Sequence, residues 1–232
     1  MSSVVHAEED NVAMWQVDCH VHTEYSSDGV VPVDKIVDIC RHKGLQCIAV
    51  TDHNTIEGAL RVKEAAKDDL HVIVGEEVKT SEGEVIGLFL HKHIPPGLTV
   101  GETVNEIKRQ NGLVYIPHPF CRFRKSRIDF AALQRIIDHV DIIEVFNSRN
   151  IVKEDNERAY RFAAISKKAV AVGSDAHLGY EYGRSYLRIR PFSNADEFLV
   201  NLKSAGTVTR RSPLWVHIVT KAGGVIHGLQ KN

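Results

Sequence analysis

The sequence predicts an α/β fold, and three observations carry that reading. Short apolar, β-branched runs alternate with stretches of helical periodicity, about seven such runs occur, and 232 residues with 43% apolar and 25% charged side chains match an ordinary globular domain. The first run is Trp15 to Val21; Val33, Ile36, Val37 and Cys40 then recur at helical spacing, with Pro32 near the start and Gly44 at the end. Cys47 to Thr51 reads as a second strand, Ile56 to about Lys67 as a charged helix, and His71 to Val78 as a third strand. Ser81-Glu82-Gly83-Glu84 is a turn into Val85 to Leu90, so strands three and four form a local hairpin that interrupts the alternation. The rhythm then resumes: helix Thr103 to Gln110 before strand Leu113 to Ile116, a helix through Phe130, Leu133, Ile137 and Val140 before strand Ile142 to Phe146, and helix Glu154 to Lys167 before strand Ala169 to Val172. A helix near Asp196 to Ala205 and an amphipathic tail from Leu214 to Gln230 follow, and no linker, repeat or low-complexity run divides residues 1 to 232 into more than one domain.

Composition narrows the function classes. With 29 basic and 30 acidic side chains the net charge is -1, which gives no global field to attract nucleic acid or anionic lipid. Apolar runs such as Ile48-Ala49-Val50 fall far short of the roughly 18 residues of a membrane span. Met1 to Gln16 contains Glu8, Glu9 and Asp10 and lacks the basic-then-apolar order of a secretory signal, so a cytoplasmic location is expected. Cys19, Cys40, Cys47 and Cys121 form no C-x-x-C pair and read as small apolar residues in a reducing compartment.

Repeated βα units can close into a barrel or stay an open doubly wound sheet, and the pattern leaves both open. In either, ligand sites collect at the carboxyl ends of the strands, and five of the thirteen histidines sit there. In Asp18-Cys19-His20-Val21-His22-Thr23, strand alternation puts Asp18, His20 and His22 on one face. Asp28 follows in a Ser-Ser-Asp-Gly turn, where a plain turn aspartate is the bland alternative. The second strand ends in Thr51-Asp52-His53-Asn54, in which Asp52 or Asn54 suits a helix cap while His53 faces the site. Gly75-Glu76-Glu77 ends the third, and alternation lets only one of the two carboxylates face a common pocket. Pro117-His118-Pro119 ends the fifth, and Gly173-Ser174-Asp175-Ala176-His177 ends the seventh with Asp175 and His177 on one face. These donors are nitrogen and oxygen with no sulfur, a mixture that suits Mn²⁺, Zn²⁺ or Fe²⁺, and they are too many for one ion.

The ordered series Asp-x-His-x-His-Thr, Thr-Asp-His-Asn-Thr, Gly-x-Glu, Pro-His-Pro and Gly-Ser-Asp-Ala-His, from Asp18 to His177, resembles the polymerase and histidinol phosphatase (PHP) family of metal-dependent phosphoesterases. The resemblance covers about two thirds of the chain and implies a distorted seven-stranded, TIM-like β/α barrel with two or three divalent ions at its carboxyl edge. It implies that His20, His22, Glu77 and Asp175 hold one ion, that Glu77 bridges to a second held by His118, and that Asp28, His53 and His177 hold a third. It favours Glu77 over Glu76. Asp28 stands where many members have histidine, and a further family histidine near the fourth strand has no clear counterpart, although His91 and His93 are near.

Such ions lower the pKa of a bound water, giving hydroxide for attack on a phosphate ester. Arginines suit the phosphoryl oxygens: Arg122 and Arg124 on the loop after His118 are the first candidates, Arg149 after the sixth strand is another, and Arg184 is weaker. Asp18 lies deeper and suits a role orienting a ligand, and His217 and His227 in the tail are not read as ligands. The expected function is phosphomonoester hydrolysis of a small phosphorylated metabolite or nucleotide, with no membrane partner. The alternatives are a phosphodiesterase or short-oligonucleotide exonuclease of either polarity, and a non-catalytic metal-binding module.

Overall fold

The computed structural model describes residues 13–220. Its elements run β1 (Trp15–Val21), α1 (Val33–Lys43), β2 (Cys47–Val50), α2 (Glu57–Ala66), β3 (His71–Thr80), β4 (Gly83–Leu88), α3 (Val100–Arg109) and β5 (Leu113–Ile116). There follow α4 (Phe130–Ile136) with a 3₁₀ turn (Ile137–His139), β6 (Ile142–Asn147), α5 (Lys153–Ser166), β7 (Ala169–Gly173), β8 (Tyr186–Ile189), α6 (Ala195–Leu202) and β9 (Gly206–Val208). The strands form one sheet in the order β7-β6-β5-β4-β3-β2-β1-β8-β9.

The seven strands anticipated from sequence stand in chain order and curl into a nearly closed barrel. Pairing is parallel except where β4 runs antiparallel to both β3 and β5, as the Ser81–Glu84 turn requires. The barrel meets its own edge at the carboxyl ends of β1 and β7. Val21 bridges Ala176, the His22 N–H donates to the Ala176 carbonyl at 2.8 Å, and the Asp175 N–H donates to the His20 carbonyl at 2.8 Å. Lower down β1 has another partner, because Trp15, Gln16 and Val17 pair antiparallel with β8. The fold therefore carries two strands beyond the expected seven, and β8 and β9 extend the sheet from the amino half of β1.

Local chemistry explains the helix limits. Gly44 ends α1 in the left-handed conformation at φ 71°, and the Leu45 N–H reaches back to the Cys40 carbonyl at 2.9 Å. Helix α3 starts three residues before the periodicity suggests. Thr99 and Glu102 form a reciprocal capping box that satisfies its first free N–H groups. The cap foreseen for α2 is corrected: Ile56 holds that position, Asp52 is spent on Thr23, and Asn54 accepts from the Lys79 N–H. Cys19 and Val21 are wholly buried in one continuous core with Ile36, Cys40, Ile48 and Ile73. The strand faces pointing that way are apolar, so the polar residues of β1 and β3, with those just after β7, are left to the barrel interior. Of the tail, residues 215–220 are helical, and the remainder lies outside the described residues. Among the described residues, no helix is long and apolar enough to cross a membrane.

Candidate metal centre

All eight anticipated donors meet at the carboxyl edge of the barrel. His20 Nε2 and His22 Nε2 lie 3.1 Å apart, and each is 3.4 Å from Glu77 Oε2. Asp175 Oδ1 completes this group at 3.6 Å from His20 and 3.4 Å from His22. On the other oxygen of the same carboxylate, Glu77 Oε1 is 3.1 Å from His118 Nε2. Asp28 sits 3.0 Å from His177 Nε2 and 3.6 Å from His53 Nε2, a third group that His22 also adjoins. Ligand atoms bound at about 2.1 Å to a shared ion lie roughly 3 to 3.5 Å apart, which is the spacing found here. Alternation separates the adjacent glutamates as expected: Glu77 faces inward, while Glu76 turns away to His93 Nδ1 at 2.7 Å and the Ile94 N–H at 3.0 Å.

The orientation of these rings is fixed by residues that the sequence did not mark. Glu144 on β6 is the hub. Its Oε1 accepts from His20 Nδ1 at 3.0 Å and the Tyr115 hydroxyl at 2.9 Å, and its Oε2 from the His118 backbone N–H at 2.6 Å and Asn147 Nδ2 at 2.9 Å. A carboxylate at Nδ1 fixes the tautomer that leaves His20 Nε2 facing the cluster. Ser26 does the same for His22, with its Oγ 3.2 Å from Nδ1, while its hydroxyl donates to Asp28 at 3.1 Å. Asp18 does not touch a histidine ring. It accepts from the Ser174 and Gly183 N–H groups, each at 2.9 Å, and so pins the loop that carries Asp175; burial pushes its carboxyl up to about 7. His118 and Asp175 both have positive φ, 29° and 55°, a backbone state that costs a non-glycine residue about 1–3 kcal/mol and is held where a side chain must be aimed.

The centre is an excess of buried charge that its own residues only partly offset. Burial alone would lower the His20 pKa, yet Asp175, Glu144 and Glu77 hold it well above the histidine range. Burial opposes ionisation of Glu77, but His53 and His20 keep its carboxyl well below normal. Burial likewise opposes ionisation of Asp175, and Arg124 and His20 hold it down. Several ligand-type atoms still lack a hydrogen-bond partner in a fully buried setting, among them Asp175 Oδ1 and Glu84 Oε2. Orphaned carboxylate oxygens among converging imidazoles, with no sulfur in the set, fit hard-to-borderline divalent cations.

The arginine expectations divide. Arg124 enters the centre: its guanidinium pairs with Asp175 Oδ2, and Nη1 lies 3.4 Å from His118 Nε2. Arg122 is not brought there, because its side chain and its N–H are both taken by Asp155, each at 3.0 Å. Arg149 is also corrected. It is buried, paired with Glu181 at 3.0 Å, and bonded to Thr220 Oγ1 at 2.9 Å and the Val216 carbonyl. Arg149 therefore anchors the helical segment 215–220 beside the end of β6. Arg184 is held by the Arg211 carbonyl and the Tyr180 hydroxyl.

Comparison with known proteins gives a consistent result. A family model described as the PHP domain matches residues 18–184. Two uncharacterised proteins of Methanocaldococcus jannaschii are similar: one is 39% identical over 145 residues (57% of this chain, 82% of that protein), the other 35% identical over 176 residues (75% and 70%). Among solved structures, a two-domain protein from Bacteroides vulgatus containing a predicted PHP-like metal-dependent phosphoesterase superposes with TM-score 0.70 at 17% identity, covering 87% of this chain and 66% of that one. An amidohydrolase from Chromobacterium violaceum, with bound sulfate and no metal, superposes with TM-score 0.59 at 16% identity, covering 89% and 96%. At these identities the structural likeness speaks to the fold alone.

Proposed function

The chain belongs to the PHP domain family, and from that premise we propose that it is a metal-dependent phosphoesterase that hydrolyses phosphate monoesters of small metabolites or nucleotides. The observation that carries this reading is the coincidence, at one barrel edge, of the nitrogen and oxygen donor cluster with the partly buried Arg124 guanidinium. His20, His22, Glu77 and Asp175 would hold one ion, Glu77 and His118 a second, and Asp28, His53 and His177 a third. Mn²⁺, Zn²⁺ and Fe²⁺ all suit these donors. Bound divalent ions supply Lewis acidity, which yields a nucleophile from water near neutral pH and offsets charge on the phosphoryl oxygens.

The protein's own residues do the rest. Arg124 is the only one of the candidate arginines directed at the cluster, and its planar fork can turn from Asp175 to a phosphoryl group. It also lines a cavity of about 600 Å³ with Lys125, Arg127 and Arg158, whose lining includes Glu82, Asp129 and Pro119, the residue after His118. That cavity has room and charge for the remainder of a small anionic substrate. The balanced charge, net -1, supplies no global field to draw in a polymer, which favours a monoester over a long nucleic acid. The four cysteines are buried free thiols, in keeping with the reducing cytoplasm as its setting.

The test is a phosphate-release screen with added Mn²⁺ across aryl phosphate, mononucleotides, an aryl diester and short oligonucleotides, with His20→Ala as control. Turnover of the monoesters that His20→Ala abolishes supports the reading. Turnover confined to the diester or oligonucleotides replaces it with the phosphodiesterase alternative, and no turnover of any substrate points to a non-catalytic module.

A further inference from the structure

Glu84 stands on β4, two residues along from Ile86, the antiparallel partner of Glu77 on β3. Residues two apart on a strand share a face, so the hairpin aims Glu84 and Glu77 into the same interior. Glu84 is 4% exposed, and besides Ser126 its carboxylate faces potential metal ligands. Its Oε2 is 3.9 Å from His118 Nε2, and its Oε1 is 3.9 Å from His53 Nδ1. One ligand atom each from His53, Glu77 and Glu84 lies within 4.8 Å of the other two.

A glutamate buried for packing or for a local hydrogen bond would find donors for both oxygens, since an unpaired buried carboxylate is costly. Oε2 of Glu84 finds none. The separations of 3.9 Å are too long for hydrogen bonds and slightly longer than the roughly 3 to 3.5 Å between atoms that share an ion, a gap that a small turn of the Glu84 side chain closes. Arg124 is the nearby fixed cation, and Asp175 engages it. The two histidines near the fourth strand do not fill this place: His93 is taken by Glu76, and His91 is exposed.

We infer that Glu84 is a metal ligand of this protein, closing with Glu77 and His118 the second ion position of the centre. This rests on the metal-dependent reading above and adds to it a residue of the β3–β4 hairpin. The extra carboxylate makes the second position harder in donor character than one built on histidine, and biases it towards Mn²⁺ over Zn²⁺.

The test counts ions without reference to activity. The full chain is stripped with chelator, equilibrated with Mn²⁺, and its bound metal measured by mass spectrometry for wild type, Glu84→Gln and Glu84→His. Glu84→Gln keeps the side-chain shape, and Glu84→His restores a donor, so the pair separates ligation from packing. The inference expects Glu84→Gln to carry one ion fewer than wild type, or to bind that ion at least about tenfold more weakly, with Glu84→His regaining it. Wild-type ion count and affinity in Glu84→Gln would overturn it. So would loss of that ion in both variants together, which would mark Glu84 as a shaping residue. If wild type itself binds no Mn²⁺, the metal-dependent reading fails and this inference with it; if only the Glu84 variants behave like wild type, the inference alone fails.

Discussion

Glu144→Gln is the substitution that most sharply tests how the centre is held. The variant preserves the shape of a buried side chain, 1% exposed, and removes its charge. Each carboxylate oxygen accepts from two donors: His20 Nδ1 and Tyr115 on one, the His118 N–H and Asn147 on the other. With the amide nitrogen at the Oε2 position two buried donors face a third donor, and at the Oε1 position it forces His20 into its other tautomer and turns the Tyr115 hydroxyl into an acceptor. A buried donor left unpaired costs about 1–3 kcal/mol, so the first placement loses about 2–6 kcal/mol. That is a large part of the roughly 5–15 kcal/mol that holds a domain folded. The His20 ring also loses the acceptor that fixes its tautomer, and losing such a partner typically weakens metal binding roughly 10–100-fold. Urea unfolding in the presence of chelator would measure the first effect, and competition with a chromophoric chelator the second. A variant within about 0.5 kcal/mol of wild type, with unchanged Mn²⁺ affinity, would refute the hub role of Glu144.

Other outcomes follow from the same geometry. Arg124→Ala should raise KM for an aryl phosphate roughly tenfold or more, the worth of a charged hydrogen bond, while leaving the metal count unchanged; Arg122→Ala, whose guanidinium Asp155 already holds, should leave KM near wild type. Steady-state kinetics would decide, and an unchanged KM in Arg124→Ala would contradict the substrate role. Gly173→Ala should lower the melting temperature and metal affinity together, because a Cβ there would stand 2.4 Å from His20 Cβ and 2.6 Å from Glu144 Oε1, and such overpacking costs about 1–3 kcal/mol. A melting curve that overlays wild type would show that the backbone gives way freely. Metal uptake near neutral pH should release protons. Burial alone would lower the His53 pKa, but Glu77 and Asp28 raise it to about 10, so the metal-free ring is protonated and must lose that proton to ligate. Affinity therefore rises with pH up to that value, and calorimetry in two buffers of different ionisation heat would detect the release; identical heats would contradict it.

Much of this candidate site was legible because its candidate donors stand out by place. His20, His22, Glu77, His118, Asp175 and His177 sit where apolar runs end, and a parallel strand buried on both faces has little other use for an imidazole or a carboxylate at that point. The strands with long apolar runs and the helices with strong periodicity were equally readable, including β5 to the residue and α1 with its Gly44 terminus. Glu144 and Glu84 were harder, since each is one carboxylate within a strand, and its role depends on which way a pleat faces and which distant ring it meets. Ser26 acts through a hydrogen bond to the His22 ring and Asp52 through one from the Thr23 hydroxyl, partners that sequence does not register. The short β8, Tyr186–Ile189, and β9 have no run long enough to stand out, and they exist because the amino half of β1 needs a partner. Arg149 misled for a physical reason: an arginine after a strand end serves an anion or a buried carboxylate equally well, and Glu181, about thirty residues on in sequence, supplies the latter.

The central claim is that donors from separate strand ends act as one multinuclear centre for phosphate ester hydrolysis. Its most direct test is a Mn²⁺ titration of the chelated full chain, following phosphate release from an aryl phosphate while bound ions are counted in parallel. The account predicts no turnover without metal, turnover that develops only as about two or more ions bind per chain, and none in His22→Ala at any Mn²⁺ concentration. Full turnover in the chelated protein, saturation at a single ion, or wild-type activity in His22→Ala would contradict it.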